Sequence, residues 1–404
     1  MKTKKFNAHL FIISESLILF FCMTVNFAIS WYVTLSSNSP VMVAIITDLY
    51  LLPTFLLAPF AGVFADRHNR KKFILTAFGI IVFYTLFLAV IYTAGYYSDW
   101  MEFSCVIAIG IGQAVLFPTV GSVIPDIIEE DKVNKLNAFR SVAESTALFS
   151  APAIGGVLLS NFSFEKVLYL GTGVALAGIA ILIFFVKIPN KPKPSANQNS
   201  FFTDIIAGVK YIAGNKMLKT LYLYLIFFEL VVSPITLLNQ LLVIREYGAE
   251  YWRLTVNETS YFVGMVAGGI ALSAWGGFKK NSRNLFLAAA GFGVCSAMLA
   301  IMRGFWGYIF FMFMSGVFMP LYDAPAQTLI ETKVSPAFTG RMFSVATMIM
   351  TIGLPLGSAV IAPLEEQNLI PIKLIIFIPG VIIALSSIYF FANRSKIDMD
   401  GIKE

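Results

Sequence analysis

AGVFADRHNRKKF, residues 61–73, crowds six charged or ionisable side chains between two long apolar runs. The chain is otherwise sparing with charge. Of its 404 residues 13% are Asp, Glu, Lys or Arg and 58% are hydrophobic, whereas an average soluble domain carries roughly 25% charged residues. Such composition excludes an ordinary soluble protein and predicts a chain that crosses a membrane many times, with this stretch as a loop at one face.

Crossing about 30 Å of hydrocarbon takes a helix of about 20 mostly apolar residues. Outward from the loop, such runs fall at 10–34, 41–65, 73–97, 103–124, 138–160 and 166–187. A second set follows at 218–243, 256–278, 285–302, 307–330, 342–363 and 371–392. The first run is longer than a signal-peptide core and has no A-x-A-like cleavage site, so it reads as a retained span. Twelve spans in two sets of six predict an all-α membrane protein of two bundles, residues 1–187 and 218–404. Residues 188–217 form the linker. It opens with a Pro- and Lys-rich stretch that continues to Ser200. FFTDIIAGVKYIAGNK follows, with Phe201, Phe202, Ile205, Ile206, Val209 and Ile212 on one helical face, the pattern of an amphipathic helix lying on a membrane surface.

The net charge of +6 follows topology and predicts no nucleic-acid partner. With a cytoplasmic N-terminus, 24 Lys and Arg fall inside and 5 outside (Lys166, Arg245, Arg253, Arg303 and Lys373). The positive-inside rule then puts both termini and the linker in the cytoplasm. The two sets also resemble each other: FPTVGSVIPDIIEEDKVNKLNAFRSVA from Phe117 and MPLYDAPAQTLIETKVSPAFTGRMFSVA from Met319 share a Pro entry, a Glu, an Arg and a closing Ser-Val-Ala. A duplicated bundle of this kind places a substrate site at the midplane. Cys22, Cys105 and Cys295 all lie in apolar runs without metal or disulfide spacing and read as small core residues.

Gly62, Asp66, Arg67, Arg70, Lys71 and Lys72 match the G-x-x-x-D-R-x-G-R-K/R loop between the second and third spans of the major facilitator superfamily, with Asn69 where Gly is usual. The chain resembles that superfamily over nearly its full length. The resemblance implies that Asp66 pairs with the start of the eleventh span, where Arg341 stands. It also implies that Arg67 or Arg70 meets Asp126 or Glu129 at the end of the fourth. Surface pairs are individually weak, so together they form a charge latch that opens in each transport cycle.

SAPAIGG, with Pro152, Gly155 and Gly156 in the fifth span, resembles the tail of the antiporter motif of drug exporters, with Ala151 in place of a Gly. Small residues let helices approach closely, and the Pro bends the span. The fourth span lacks the Arg that many exporters carry near its middle, having Ile109 or Gly110 there, so no proton role of that Arg transfers. The whole pattern most resembles the branch of macrolide-efflux proteins and bacterial siderophore or metallophore exporters. It implies a monomer in a bacterial-type cell membrane that exports a small organic molecule by proton antiport.

An ionisable side chain at membrane depth is a functional hypothesis by default. Glu229 lies about eleven residues into the seventh span, roughly 16 Å along its axis, and is the first candidate for proton coupling. Ser233, Thr236 and Gln240 fall within about 40° of it, a polar stripe expected to face a cavity. Glu15 is the second candidate, either lining the pathway with Asn26 on its face or pairing with a cation. Glu144 follows Arg140 by four residues, the spacing of an intrahelical ion pair. Asp48 and Asp323 stand near span ends as gates or satisfied interfacial charges. By resemblance the first, fourth, seventh and tenth spans line the cavity, which adds Gln113 and Tyr322.

His9 and His68 are both expected at the cytoplasmic surface, so histidine offers no proton relay. No phosphate-cradling loop, Walker lysine, catalytic triad or metal-ligand spacing occurs, so neither an enzyme nor an ATP-driven pump is expected, and no cofactor. The leading expectation is a proton-driven exporter of a drug- or macrolide-like compound. A dedicated metallophore exporter, an importer and a non-transporting receptor are the alternatives. The near absence of cations in the spans speaks against an anionic cargo.

Overall fold

The computed structural model describes residues 2–67, 69–129, 132–189, 201–278, 280–334 and 336–392. Side chains are described there except at 2–5, 58–67, 117, 118, 121, 122, 125, 134, 201–205, 331–333, 336–344, 347 and 350. Described residues form helices and no strand: α1 (Lys2–Ser37), α2 (Pro40–Arg67), α3 (Arg70–Thr93), α4 (Asp99–Ile127), α5 (Val133–Asn161), α6 (Phe164–Phe184), α7 (Phe201–Gly214), α8 (Lys216–Tyr247), α9 (Tyr251–Trp275), α10 (Asn281–Ile301), α11 (Phe305–Lys333), α12 (Pro336–Glu366) and α13 (Ile372–Ala392). Lipid offers no partner to a backbone N–H or C=O, and a helix satisfies both within its own segment.

Among the described residues ten of these helices are long and apolar enough to cross a membrane. The other helices above 20 residues are α9 and α12. The run expected to begin at 256 is helical from Tyr251, because Arg253, Asn257 and Glu258 belong to the same helix and make its first third polar. The 14-residue α7 lies in the expected linker, with Ile206 and Val209 exposed and Ile212 buried. Its Phe201, Phe202 and Ile205 side chains, and residues 190–200, lie outside the described residues.

Local chemistry sets the boundaries. Ser39 accepts from the Met42 N–H at 3.2 Å, Asn69 from Lys72 at 3.1 Å, and Asn215 from Met217 and Leu218 at 3.0 and 3.1 Å, each satisfying donors that a helix start leaves free. Pro40 fills the first helical position of α2, where a missing N–H costs nothing. Gly248, at φ 124°, makes the tight link from α8 to α9 with a backbone that side-chain-bearing residues rarely adopt.

The chain forms two compact units: Met1–Ser37, Ile45–Asn197 and Glu250–Thr255 in the first, and Asn38–Ala44, Gln198–Ala249 and Val256–Glu404 in the second. In the first, α1 packs on α5 and α6. Gly155 meets Thr24, Gly171 meets Phe21 at 3.2 Å, and Gly178 meets Ile18 at 2.8 Å, each distance measured to the Cβ the glycine lacks. The Ser14 hydroxyl bonds the Gly178 carbonyl at 2.8 Å. Cys22, Cys105 and Cys295 are buried free thiols.

In the second unit α8 packs on α12 and α13, and α10 on α11 and α13. Gly293 and Gly380 face one another's backbones, and Tyr224 bonds Ser387 at 2.8 Å in the core. Gly264, Gly268 and Gly316 bring α9 and α11 into backbone contact: a Cβ on Gly268 would strike the Val317 carbonyl, and one on Gly316 the Tyr261 carbonyl. Helices in lipid associate by such close approach rather than by a hydrophobic drive.

This seam generates a test. Gly268→Leu forces the helices apart at a cost of about 1–3 kcal/mol or more and is expected to lower the melting temperature in detergent by several degrees. Gly269→Leu, at a neighbour with nothing within 4 Å of its missing Cβ, should melt like the wild type. Equal melting of the two variants would contradict the seam.

Candidate functional site

Acidic side chains near the membrane depths are treated differently in the two units. In the first, Arg70 opens α3, is 4% exposed, and pairs with Asp126 in the last turn of α4. Glu129 pairs with Lys132. Of the two arginines expected to meet Asp126 or Glu129, Arg70 therefore makes the contact, with Asp126. The side chains of Asp66, Arg67 and Arg341, and with them the expected latch across the chain, lie outside the described residues; Gly62 is in the helical backbone of α2. Lys71 of the opening stretch donates to the carbonyls of Ile183 and Val186 at 2.9 and 2.7 Å, capping the end of α6.

One guanidinium serves two more acids. Arg140 places Nη2 3.3 Å from Glu15 Oε1 and Nε 2.6 Å from Glu144 Oε1. The intrahelical pair read from the spacing is present, and the cation that Glu15 lacked in the sequence is the same Arg140. Glu102, 2% exposed, accepts from the Tyr92 hydroxyl. Asn26 and Gln113 are half-buried. The Asn26 side-chain oxygen and the Gln113 Nε2 have no hydrogen-bond partner among the described residues, a state that buried polar groups rarely keep without a ligand or water. Pro152 and Gly155 are buried in α5, and a Cβ on Gly156 would overlap the Thr255 side chain.

In the second unit no described Lys or Arg forms an ion pair with the carboxyls Glu229, Glu258 and Asp323. Glu229 is half-buried on α8, under α12, which passes at a glycine: a Cβ on Gly353 would sit 2.8 Å from that of Glu229. One turn on, Ser233 packs against Gly357 in the same seam, bonding the Leu230 carbonyl at 2.9 Å. Thr236 is exposed, and Gln240 donates to Glu258 of α9 at 3.1 Å. The stripe expected to face one cavity is thus divided among a helix seam, an exposed surface and a neighbouring helix. Sequence spacing gives the angle of a residue on its helix and says nothing of which helix covers it.

On α11, Tyr322 is fully buried and stacks on Phe228 with centroids 4.1 Å apart, its hydroxyl without a partner among the described residues. Asp323 follows it and is an electrostatic neighbour of Glu229. No ion pair joins Glu229, Glu258 or Asp323 to a described Lys or Arg. By contrast the acids at the α8–α9 end of the unit are matched: Glu365 with Arg245, and Glu246 with Lys373 at 2.7 Å. Glu250, in the turn before α9, bonds Arg253 and Trp252, which hold its carboxyl below the usual carboxylate range.

Glu258 escaped the sequence reading. It sits two residues inside the expected start of its span, beside the polar boundary; the one signal was the compact Asn257-Glu258-Thr259 cluster.

The described geometry is two compact helical units, the second holding acids without an ion-pair partner among the described residues. The family model of the Major Facilitator Superfamily matches residues 11–358. The chain belongs to this superfamily. It is therefore a multi-pass membrane transporter of small molecules and not an enzyme. It is 25% identical over 339 residues to macrolide efflux protein A of Streptococcus pyogenes, covering 82% of each chain. To macrolide efflux protein A of Enterococcus faecalis it is 26% identical over 325 residues, 78% of this chain and 98% of the other. Among solved structures, a bacterial homologue of the human lysosomal transporter Spinster aligns with a TM-score of 0.73 at 13% identity, over 99% of each chain. A POT family transporter solved with 5-aminolevulinic acid gives 0.75 at 10% identity over 96% of each. At these identities the solved structures establish the fold alone.

The Arg70–Asp126 pair carries its own test. Removing one partner of a buried pair strands a charge and costs about 3–5 kcal/mol, whereas replacing both with apolar residues is often neutral. Arg70→Met is expected to lower the melting temperature sharply, and Arg70→Met with Asp126→Leu to recover most of the loss. An additive double variant would mean that the two side chains do not interact.

Proposed function

We propose that the protein is a secondary exporter that moves a small amphiphilic compound, neutral or cationic, out of the cell in exchange for protons. The observation that carries the reading is the pair of carboxyls at depth, Glu229 and Asp323, held as electrostatic neighbours with no ion-pair partner among the described residues. In a low-dielectric interior such groups are stable when protonated or when facing a cation. A side chain that must choose between a proton and a cationic cargo is the elementary part of an antiporter. Two macrolide efflux proteins among the relatives support outward transport of a bulky amphiphile.

On this reading all twelve long helices cross a bacterial cell membrane, with both termini cytoplasmic and the chain monomeric. Residues 1–187 and 218–404 form the two bundles, and 188–217, containing α7, joins them along the cytoplasmic surface. Glu229 carries the coupled proton, and Glu15, tied to Arg140, is the secondary candidate. Asn26, Gln113, Ser233, Thr236, Gln240 and Tyr322 are the pathway candidates. Gly62, Asp66, Arg67 and Arg341, together with Arg70, Asp126 and Glu129, form the conformational latch. Pro152, Gly155 and Gly156 give α5 the bend and close packing of an antiporter-type helix. A membrane potential of 100 mV adds about 2.3 kcal/mol for each proton that enters.

The reading is tested in proteoliposomes by ligand-induced proton movement with a macrolide, a lipophilic cation and a metallophore, metal-free and metal-loaded. Proton flux is expected with the macrolide or the cation. Flux with the metallophore alone would replace the cargo assignment, and silence with folded protein would refute coupled export. Glu229→Gln should abolish uphill transport while leaving ligand binding within about threefold of the wild type. Unchanged coupled transport in that variant removes Glu229 from the carrier role. Asp66→Asn is expected to slow turnover at least tenfold at normal membrane abundance; wild-type rates would remove the latch.

A further inference from the structure

Glu258 is the carboxyl at depth that the function above does not use. Its environment is built. Gln240 of α8 donates to Glu258 Oε1 at 3.1 Å. Beside it, Asn257 donates to Asn239 Oδ1 at 3.0 Å, Asn239 donates to the Thr236 carbonyl at 2.9 Å, and the Tyr308 hydroxyl reaches the Asn239 carbonyl at 3.5 Å. Asn257 is fully buried and Glu258 is 9% exposed, while the Asn257 side-chain oxygen and the Thr259 hydroxyl have no hydrogen-bond partner among the described residues. Among the described residues Glu258 has an amide donor and no ion-pair partner, and an uncompensated charge at a buried position is costly.

The position along the bundle gives the group a direction. Glu258 lies seven residues from the start of α9, about 10 Å along the axis at 1.5 Å per residue. Asp323 lies eighteen residues from the start of α11 and Glu229 eighteen residues from the end of α8, each about 27 Å along its axis. These three helix ends are on the same side of the unit, because α8 and α9 are joined by a short turn and α9 and α11 both run away from it. Tyr261 stands one turn deeper than Glu258. It is an electrostatic neighbour of Glu258, Glu229 and Asp323 alike, and its backbone is pinned to α11 through Gly316.

Glu258 is bonded by Gln240 of α8 and has Tyr308 of α11 and Tyr261 of its own helix as electrostatic neighbours. Glu229 has Asp323, Tyr261 and Tyr322 as electrostatic neighbours, with Gly353 of α12 packed against its Cβ.

We propose that Glu258 is a second proton-binding site, an outer station that receives protons on the α8–α9 side of the membrane and passes them inward past Tyr261 to Glu229 and Asp323. This rests on the proton-coupled reading of the same unit. A proton from water adds to the Glu258 carboxylate and makes it neutral. Passing it inward restores the carboxylate at Glu258 and neutralises Glu229 or Asp323. Tyr261, whose hydroxyl both accepts and donates, is left unchanged. Gln240 is a positioning residue: its amide holds Oε1 and fixes which carboxyl oxygen is free for the incoming proton.

The test measures the rate of ligand-driven proton movement in proteoliposomes of the full chain, with the macrolide or lipophilic cation that drives flux in the wild type. Glu258→Gln is expected to slow proton movement tenfold or more with detergent-phase ligand affinity unchanged, Glu258→Asp to restore the rate, and Tyr261→Phe to slow it tenfold or more. A wild-type rate in Glu258→Gln overturns the outer station and leaves the exporter standing, while absence of proton movement in the wild type overturns both. Should the variants fail to fold, the wild type still decides. Dicyclohexylcarbodiimide, which modifies protonated carboxyls in apolar surroundings, should label Glu258 increasingly as the pH falls, read by peptide mass spectrometry. No labelling of Glu258 at any pH overturns the proposal.

Discussion

A carboxylate in hydrocarbon must meet a cation, a dense set of hydrogen-bond donors or a proton. The rest of this molecule can be understood from how that demand is met. The first unit meets it with arginine at Asp126, through Arg70, and at Glu15 and Glu144, which share Arg140, and with the Tyr92 hydroxyl at Glu102. Among the described residues the second meets it with arginine or lysine at the end where α8 turns into α9, through Arg245 and Lys373. At depth it leaves Glu229, Glu258 and Asp323 among tyrosines and amides.

That asymmetry divides labour between two units with related sequences. A carboxylate beside a cation favours its charged form and resists a change of protonation. A carboxyl without a cation can change state, and each change alters the charge of the unit by one. Glycine seams give those charge changes a rigid frame: α12 lies on Glu229 because Gly353 and Gly357 let it, and α9 lies on α11 because Gly264, Gly268 and Gly316 do. The second unit therefore combines carboxyls without a described cation and close-packed helices, the combination that the proposed proton-coupled transport needs.

Much of this was legible in the sequence. Apolar runs of the right length marked every long helix, since lipid leaves the backbone no alternative to helix. The 61–73 stretch and the Pro152 motif pointed to the superfamily to which the chain belongs. Arg140–Glu144 was readable because its two ends share a helix. The Arg140–Glu15 contact was not, because it joins residues 125 positions apart. The stripe from Glu229 to Gln240 was correct as an angle and incomplete as a surface, for its covering came from α9 and α12. Glu258 was missed for a reason of the same kind: hydropathy placed the span boundary beside it, and the polar first third of α9 became visible as part of one continuous helix only in three dimensions.

The central claim is that ligand binding and proton binding compete at the carboxyls of the second unit. It is tested most directly by counting protons released when a lipophilic cation binds to the purified protein, by calorimetry in buffers of differing ionisation enthalpy across a range of pH. The account requires release that approaches one proton or more per bound cation at the acidic end and fades as the pH rises and the carboxyls empty. Binding with no proton release at any pH would contradict it.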